Sequence, residues 1–227
     1  MTFDRSRFTQ SLTTAEMGRA VTHNEVVLTV DVAALQWARQ RDAPHGAVLV
    51  ADHEAVPRIR LGRPWTGGGH AAAFVVRPDL TVDQEGRLWL AAGLALSRHL
   101  GGEVIWPDMI VAGGAGWAVN VTTVLRPGAI DLAVMSFRTP VSKDRAMDLA
   151  RIANELEVAL DLADLIEEYS ERCPLIGSEV EVKLVPRGEV VARVVGISES
   201  GALRLEMGSG RVGDLPVAEV RTLTTVS

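Results

Sequence analysis

The chain has 227 residues, a formal charge of −6 at neutral pH, 47% apolar and 23% charged residues. That supports a packed core without staples, in one large domain or in a medium one followed by a small one. An acidic chain with no basic block excludes bulk binding of nucleic acid, which needs a clustered positive face, and a single cysteine, Cys173, excludes an internal disulfide.

The opening stretch, "MTFDRSRFTQSLTTAEMGRA", lacks the apolar centre of a signal peptide, and the longest apolar run, "LWLAAGLALS", is too short to span a bilayer. The expectation is a cytoplasmic protein with no membrane partner. Only two lysines, Lys143 and Lys183, stand against 21 arginines, and the first 142 residues hold none.

Residues 24–41 start extended and then predict a helix, with Asp31 as its cap and Val32, Leu35, Trp37 and Ala38 as its apolar residues. "GAVLVADHE" (46–54) reads as a buried strand, 55–70 as a loop, and "AAAFVVRP" (71–78) as a second buried strand stopped by Pro78. Residues 83–102 carry Leu88, Ala91, Ala92, Ala95 and Leu96 on one stripe and end in Gly-Gly, which predicts a buried helix with a glycine stop. "EVIW" is a strand leading to Pro107, and 116–137 is a hairpin turning at Arg-Pro-Gly-Ala. Residues 142–173 form a long amphipathic helix capped by Ser142 and interrupted near 161–164. After Cys173-Pro174 the pattern alternates with glycine turns, giving four or five short antiparallel strands, enough for a small barrel. The boundary separates 1–172 from 173–227.

The loop "AVPRIRLGRPWTGGG" (55–69) offers clustered guanidinium groups and open amides, the donors that an anion needs. Other polar residues carry less. His53 beside Glu54 is two residues, not a metal site; no metal is expected. Lys183 lies inside an alternating strand and reads as a surface charge. Cys173, before a proline, reads as a small buried residue.

This order of elements with this loop resembles the biotin protein ligases and the wider biotin/lipoate ligase family. "VLVADHEAVPRIRLGRPW" (48–65) resembles the family's strand and Gly-Arg-Gly-Arg-x-Gly-Arg-x-Trp loop, with Arg58, Arg60, Gly62, Arg63 and Trp65 in place. "VIWPDMIV" (104–111) resembles its Trp-Pro-Asn-Asp segment, and "YSERCPLIGSEVEVKLVPRGEVVARVVGISESGALRLEMGSGRV" its C-terminal barrel. The resemblance implies an α+β fold: a mixed-sheet ligase-like domain followed by an SH3-like β-barrel. It implies ATP with Mg²⁺, a biotin- or lipoate-like acid, an acyl adenylate, and a biotinyl or lipoyl carrier domain whose lysine receives the acyl group. It also implies a possible homodimer. The family's N-terminal helix-turn-helix module has no counterpart here, which disfavours a repressor role. The substrate-binding set it implies is Glu54, Arg58, Arg60, Gly62, Arg63, Trp65, Trp106 and Asp108. Arg60 stands as the acyl-phosphate contact and Trp65 as an apolar wall beside the nucleotide.

The departures bear on chemistry. Two loop glycines become Pro57, which lacks an amide donor, and Ile59, which disfavours positive φ. The family's biotin-reading Gln falls at Glu54, and its Ser-Thr-Asn segment near Val32-Ala33-Ala34, which offers no side-chain hydrogen bonds. Trp-Pro-Asn-Asp becomes Trp106-Pro107-Asp108-Met109. The family's following lysine falls at Gly113 in one register; in another its strand is deleted. Either way the lysine is gone, no arginine lies between Arg98 and Arg126, and no catalytic residue can be named. Losing a cation that stabilises developing charge costs about 10²–10³ in rate. Two functions follow as expectations: a divergent biotin–protein ligase with impaired carboxylate activation, or a non-catalytic homologue that binds a small acid, a nucleotide or a protein partner.

Overall fold

The structure, a computed structural model, describes residues 3–226. A short helix α1 (Arg5–Gln10) precedes β1 (Val21–Val27), α2 (Val30–Gln40), β2 (Val48–Glu54) and β3 (His70–Val76). Helix α3 (Glu85–Leu100) leads to β4 (Glu103–Ile105), β5 (Met109–Ala112), β6 (Ala115–Arg126) and β7 (Ala129–Thr139). These seven strands make one sheet in the order β1-β2-β3-β7-β6-β5-β4, parallel only between β1 and β2.

Strict alternation puts Ala72, Phe74 and Val76 of β3, with Ala133, Met135 and Phe137 of β7, against α3 and α4 (Arg145–Asp161). Their neighbours Ala71, Ala73, Val75, Leu132 and Val134 face α2. That second interface is alanine-rich on both sides, so α2 sits close to the sheet through Val30, Ala34 and Ala38. Helix α5 (Leu165–Glu171) then buries Tyr169 against α3, where Gly93 leaves room for its ring. The α+β, mixed-sheet architecture expected from the sequence is present.

Two helix starts differ from expectation. Thr29, not Asp31, caps α2: its hydroxyl accepts from the amide of Val32, and Asp31 lies buried in the first turn while Val32 is 54% exposed. Asp144, not Ser142, caps α4 by accepting from Met147, and the Ser142 hydroxyl accepts from the amide of Asp144. In both cases the capping side chain is the one that reaches the amide three residues on, Val32 from Thr29 and Met147 from Asp144. The glycine stop of α3 is Gly101, in the left-handed region at φ 65°.

β8 (Glu179–Leu184), β9 (Glu189–Ile197), β10 (Leu203–Met207), β11 (Val212–Leu215) and β12 (Val220–Thr225) form an antiparallel, SH3-like sheet in the order β11-β10-β9-β8-β12. It docks on the first turn of α3 through a glycine pair. Gly201 has φ 83°, and a β-carbon there would overlap the backbone of Gly86 and stand 2.7 Å from the amide nitrogen of Arg87. Gly201→Ala is therefore expected to cost more than about 2 kcal/mol, because both strain and a backbone clash oppose it. A thermal melt would show this as a midpoint lower by about 4–8 °C; an unchanged midpoint would mean that the contact is not tight.

Candidate functional site

The loop between β2 and β3 curls over one end of the sheet. Its middle is a tight turn: the amide of Ile59 donates to the carbonyl of Arg63 at 2.9 Å, and that of Gly62 to Ile59 at 3.0 Å. Ile59 is extended at φ −121°, so the branched side chain costs nothing there. The left-handed residues are Leu61 (φ 58°) and Gly62 (φ 69°). Beneath this turn lies a cleft of about 370 Å³. Arg58, Arg60 and Gly62 line it from the loop, Thr29 and Asp31 from the start of α2, and Asn120 from β6. Glu85 and Trp89 of α3 and Val217 and Ala218, just before β12, complete it.

The loop arginines are mostly committed to protein groups. Arg60 is 6% exposed; its Nε donates to Asp108 Oδ2 at 3.3 Å, its Nη1 to the carbonyl of Val220, and its Nη2 to that of Arg221 at 3.4 Å. Burial pulls this guanidinium below its ordinary range, and Asp108 opposes the shift. Arg63 donates from Nη2 to the same Asp108 oxygen at 2.8 Å. Asp108 itself is buried, so one carboxylate answers two cations. Arg58 is exposed and donates only to the carbonyl of Gly62, at 2.6 Å. Its charge alone among the three meets no carboxylate of the described residues within 4 Å.

Glu54 is placed under the loop by the end of β2. Its Oε1 accepts from the amide of Val30 at 2.7 Å and from Arg138 Nη2 at 3.0 Å. Arg138 projects from β7, almost wholly buried, and the same Nη2 reaches the carbonyl of Arg58 at 2.8 Å and Asp31 Oδ2 at 3.5 Å. Desolvation raises the Glu54 carboxyl above its usual range; Arg138 and the Val30 amide counter this, and Asp31 adds to it. Two carboxylates thus share one guanidinium. Asp31 Oδ1, Ser136 Oγ and the Nε and Nη1 of Arg138 are buried with no hydrogen-bond partner among the described residues.

The two tryptophans of the sequence-derived set lie elsewhere. Trp65 folds over Gly67 and donates to the carbonyl of Gly68 at 2.8 Å, closing its own turn rather than walling the cleft. Trp106 is core, its indole N–H on the carbonyl of Gly201 at 3.1 Å. The lysines stand apart too: Lys143 is exposed beside His53 and His70, and Lys183 lies on β8, 3.8 Å from Glu181. Neither lines the cleft. β5 and β6 pair through the turn Gly113–Gly114, and neither strand carries a lysine.

Sequence reasoning missed Thr29, Asp31, Asn120 and Arg138. The Ser-Thr-Asn counterpart was placed at Val32-Ala33-Ala34; the polar side chains at the start of α2 are instead Thr29 and Asp31. Arg138 had a signal: in "LAVMSFR", Ser136 and Arg138 occupy successive same-face positions that follow an apolar run. A larger hollow of about 530 Å³ is lined by Arg87, Leu88 and Ala91 of α3 together with Arg77, Pro78 and Leu80. One of its carboxylates, Glu157, is already held by the amides of Ala15, Glu16 and Met17 at 2.6–2.9 Å.

Residues 175–220 match the biotin protein ligase C-terminal domain. Over 204 residues the chain is 28% identical to the biotin–[acetyl-CoA-carboxylase] ligase of Mycobacterium tuberculosis, covering 74% of this chain and 76% of that one. It is 27% identical over 112 residues to the bifunctional ligase/repressor BirA of Bacillus subtilis, covering 45% of this chain but only 34% of the relative. Among solved structures, the biotin protein ligase of Aquifex aeolicus in complex with biotin and ATP is similar with a TM-score of 0.69 at 17% identity. That match covers 92% of this chain and all of the other, and shows a shared fold.

Proposed function

We propose that this chain, which is similar to biotin protein ligases in sequence and in fold, takes a small carboxylic acid and a nucleotide in its cleft, with the joining of the two strongly impaired. In such a reaction an acid oxygen attacks the α-phosphorus of ATP, pyrophosphate leaves, and the acyl group passes from AMP to a carrier lysine. Biotin or a lipoate-like acid, ATP with Mg²⁺ and a biotinyl or lipoyl carrier domain are the proposed substrates. The chain's own groups would bind and orient them: Arg58 against the phosphates, Thr29 and Asn120 against the acid's polar atoms, and Trp89 with Val217 excluding water.

One observation carries the impairment. The cations near the cleft are already matched: Arg60 and Arg63 by Asp108, Arg138 by Glu54 and Asp31. A triphosphate meeting a carboxylate needs uncommitted positive charge, and Arg58 is what remains. Purified protein mixed with ATP, biotin or lipoate, and a carrier domain is expected to release pyrophosphate at no more than about a hundredth of the Aquifex enzyme's rate, measured side by side. A comparable rate would end this reading.

The unpartnered Oδ1 of Asp31, a residue that lines the cleft, favours a second reading, a homologue that binds a ligand without turning it over. A bound molecule that donated to that oxygen would recover about 1–3 kcal/mol. Thermal stabilisation by biotin or ATP with no pyrophosphate release, lost in Arg58→Ala, would select it.

A further inference from the structure

We propose that Arg60 is a positioning residue that clamps the arginine loop to the C-terminal sheet, so that the seating of the loop over the cleft is felt in β12. Its donors are spent on the protein: one carboxylate and two successive carbonyls, those of Val220 and Arg221. A guanidinium waiting for an anion would keep its N–H groups in solvent; this one is buried together with its carboxylate.

The two ends of the clamp are stiff. On the loop side, Ile59, Gly62 and Trp65 are held by backbone bonds within residues 57–65, so the turn moves as a unit. On the other side, Val217 and Ala218 line the cleft only two residues before the carbonyls that Arg60 holds. One wall of the cleft and the anchor of its cover are therefore the same short segment, 217–221. A planar guanidinium can span a carboxylate and two carbonyls at once, whereas an ammonium acts as a point charge. Arg63 supplies an internal contrast, since it shares Asp108 but makes no hydrogen bond to β12.

Hydrogen exchange on the full chain tests the clamp, comparing segments 55–69 and 217–225 with β2 and β3 as reference. Arg60→Ala is expected to speed exchange in both segments by about tenfold or more and to leave β2 and β3 unchanged. Arg60→Lys keeps a cation against Asp108, which protects the fold, yet cannot hold both carbonyls; it is expected to speed 217–225 nearly as much. Arg63→Ala should speed 55–69 alone. The clamp is overturned if both Arg60 variants leave 217–225 unchanged, or if Arg63→Ala reproduces the Arg60 pattern in both segments.

A second arm uses ATP as the probe and rests on the nucleotide reading above. In the parent protein ATP should slow exchange in both segments, and in Arg60→Lys in 55–69 only; equal slowing of 217–225 in the variant would also overturn the clamp. An absence of any ATP effect on the parent protein would count against the nucleotide reading, and the ligand-free comparison would still decide the clamp.

Discussion

Arg138→Ala is expected to destabilise the protein by about 3–5 kcal/mol, because it strands two buried carboxylates that now share its guanidinium. Glu54 and Asp31 both lie away from water at the end of β2 and the start of α2, and among the described residues no other cation is within 4 Å of either. The effect should depend on pH. The Glu54 carboxyl is already raised in the folded state, so its contribution to stability is fully present below its unfolded value and declines as pH rises through the folded one. Removing Arg138 takes away the main opposing influence, raises the carboxyl further and widens that window. Urea unfolding should therefore show a larger loss at pH 7.5 than at pH 5. A loss below about 1 kcal/mol at both values would mean that the cluster is relieved by water and is not a closed network.

Trp106→Ala should cost a similar amount, about 3–5 kcal/mol, for a different reason. The indole is among the largest fully buried side chains and sits where the seven-stranded sheet meets the C-terminal one, its N–H on the carbonyl of Gly201. Truncation would open a cavity at that junction and leave a carbonyl unmet. Trp106→Phe separates the two terms: it keeps most of the ring volume and should lose only about 1–2 kcal/mol, the hydrogen bond and a small void. Equilibrium unfolding of the two variants side by side checks the ratio. Equal losses would place the energy in the N–H rather than in packing. Within the same segment Trp106 packs into the core, while Asp108 turns its carboxylate to the loop arginines.

Much of the architecture was legible because the signals are local. Period two in β3 and β7 sorts Phe74 and Phe137 to one side of the sheet and Ala73 and Val134 to the other. The apolar stripe of α3 ends at Gly101, and the turn at 126–129 joins β6 to β7, as those residues dictate. Helix caps were read to within two residues and missed, since Thr29 and Asp31, or Ser142 and Asp144, are all capping residue types and differ only in which one the incoming chain sets three residues before a free amide.

By itself the sequence determined most of the elements and their order (α1 and β5 were not among them), the scarcity of lysine, and the presence of arginines in the loop after β2, since each follows from residue type and near-neighbour spacing. Only the tertiary structure decided what those arginines do. Arg60 meets a carboxylate 48 residues away and a carbonyl 160 residues away, and Arg138 meets Glu54 across 84. A charge is free or spent according to which distant segments cross beside it, and no local pattern encodes those crossings.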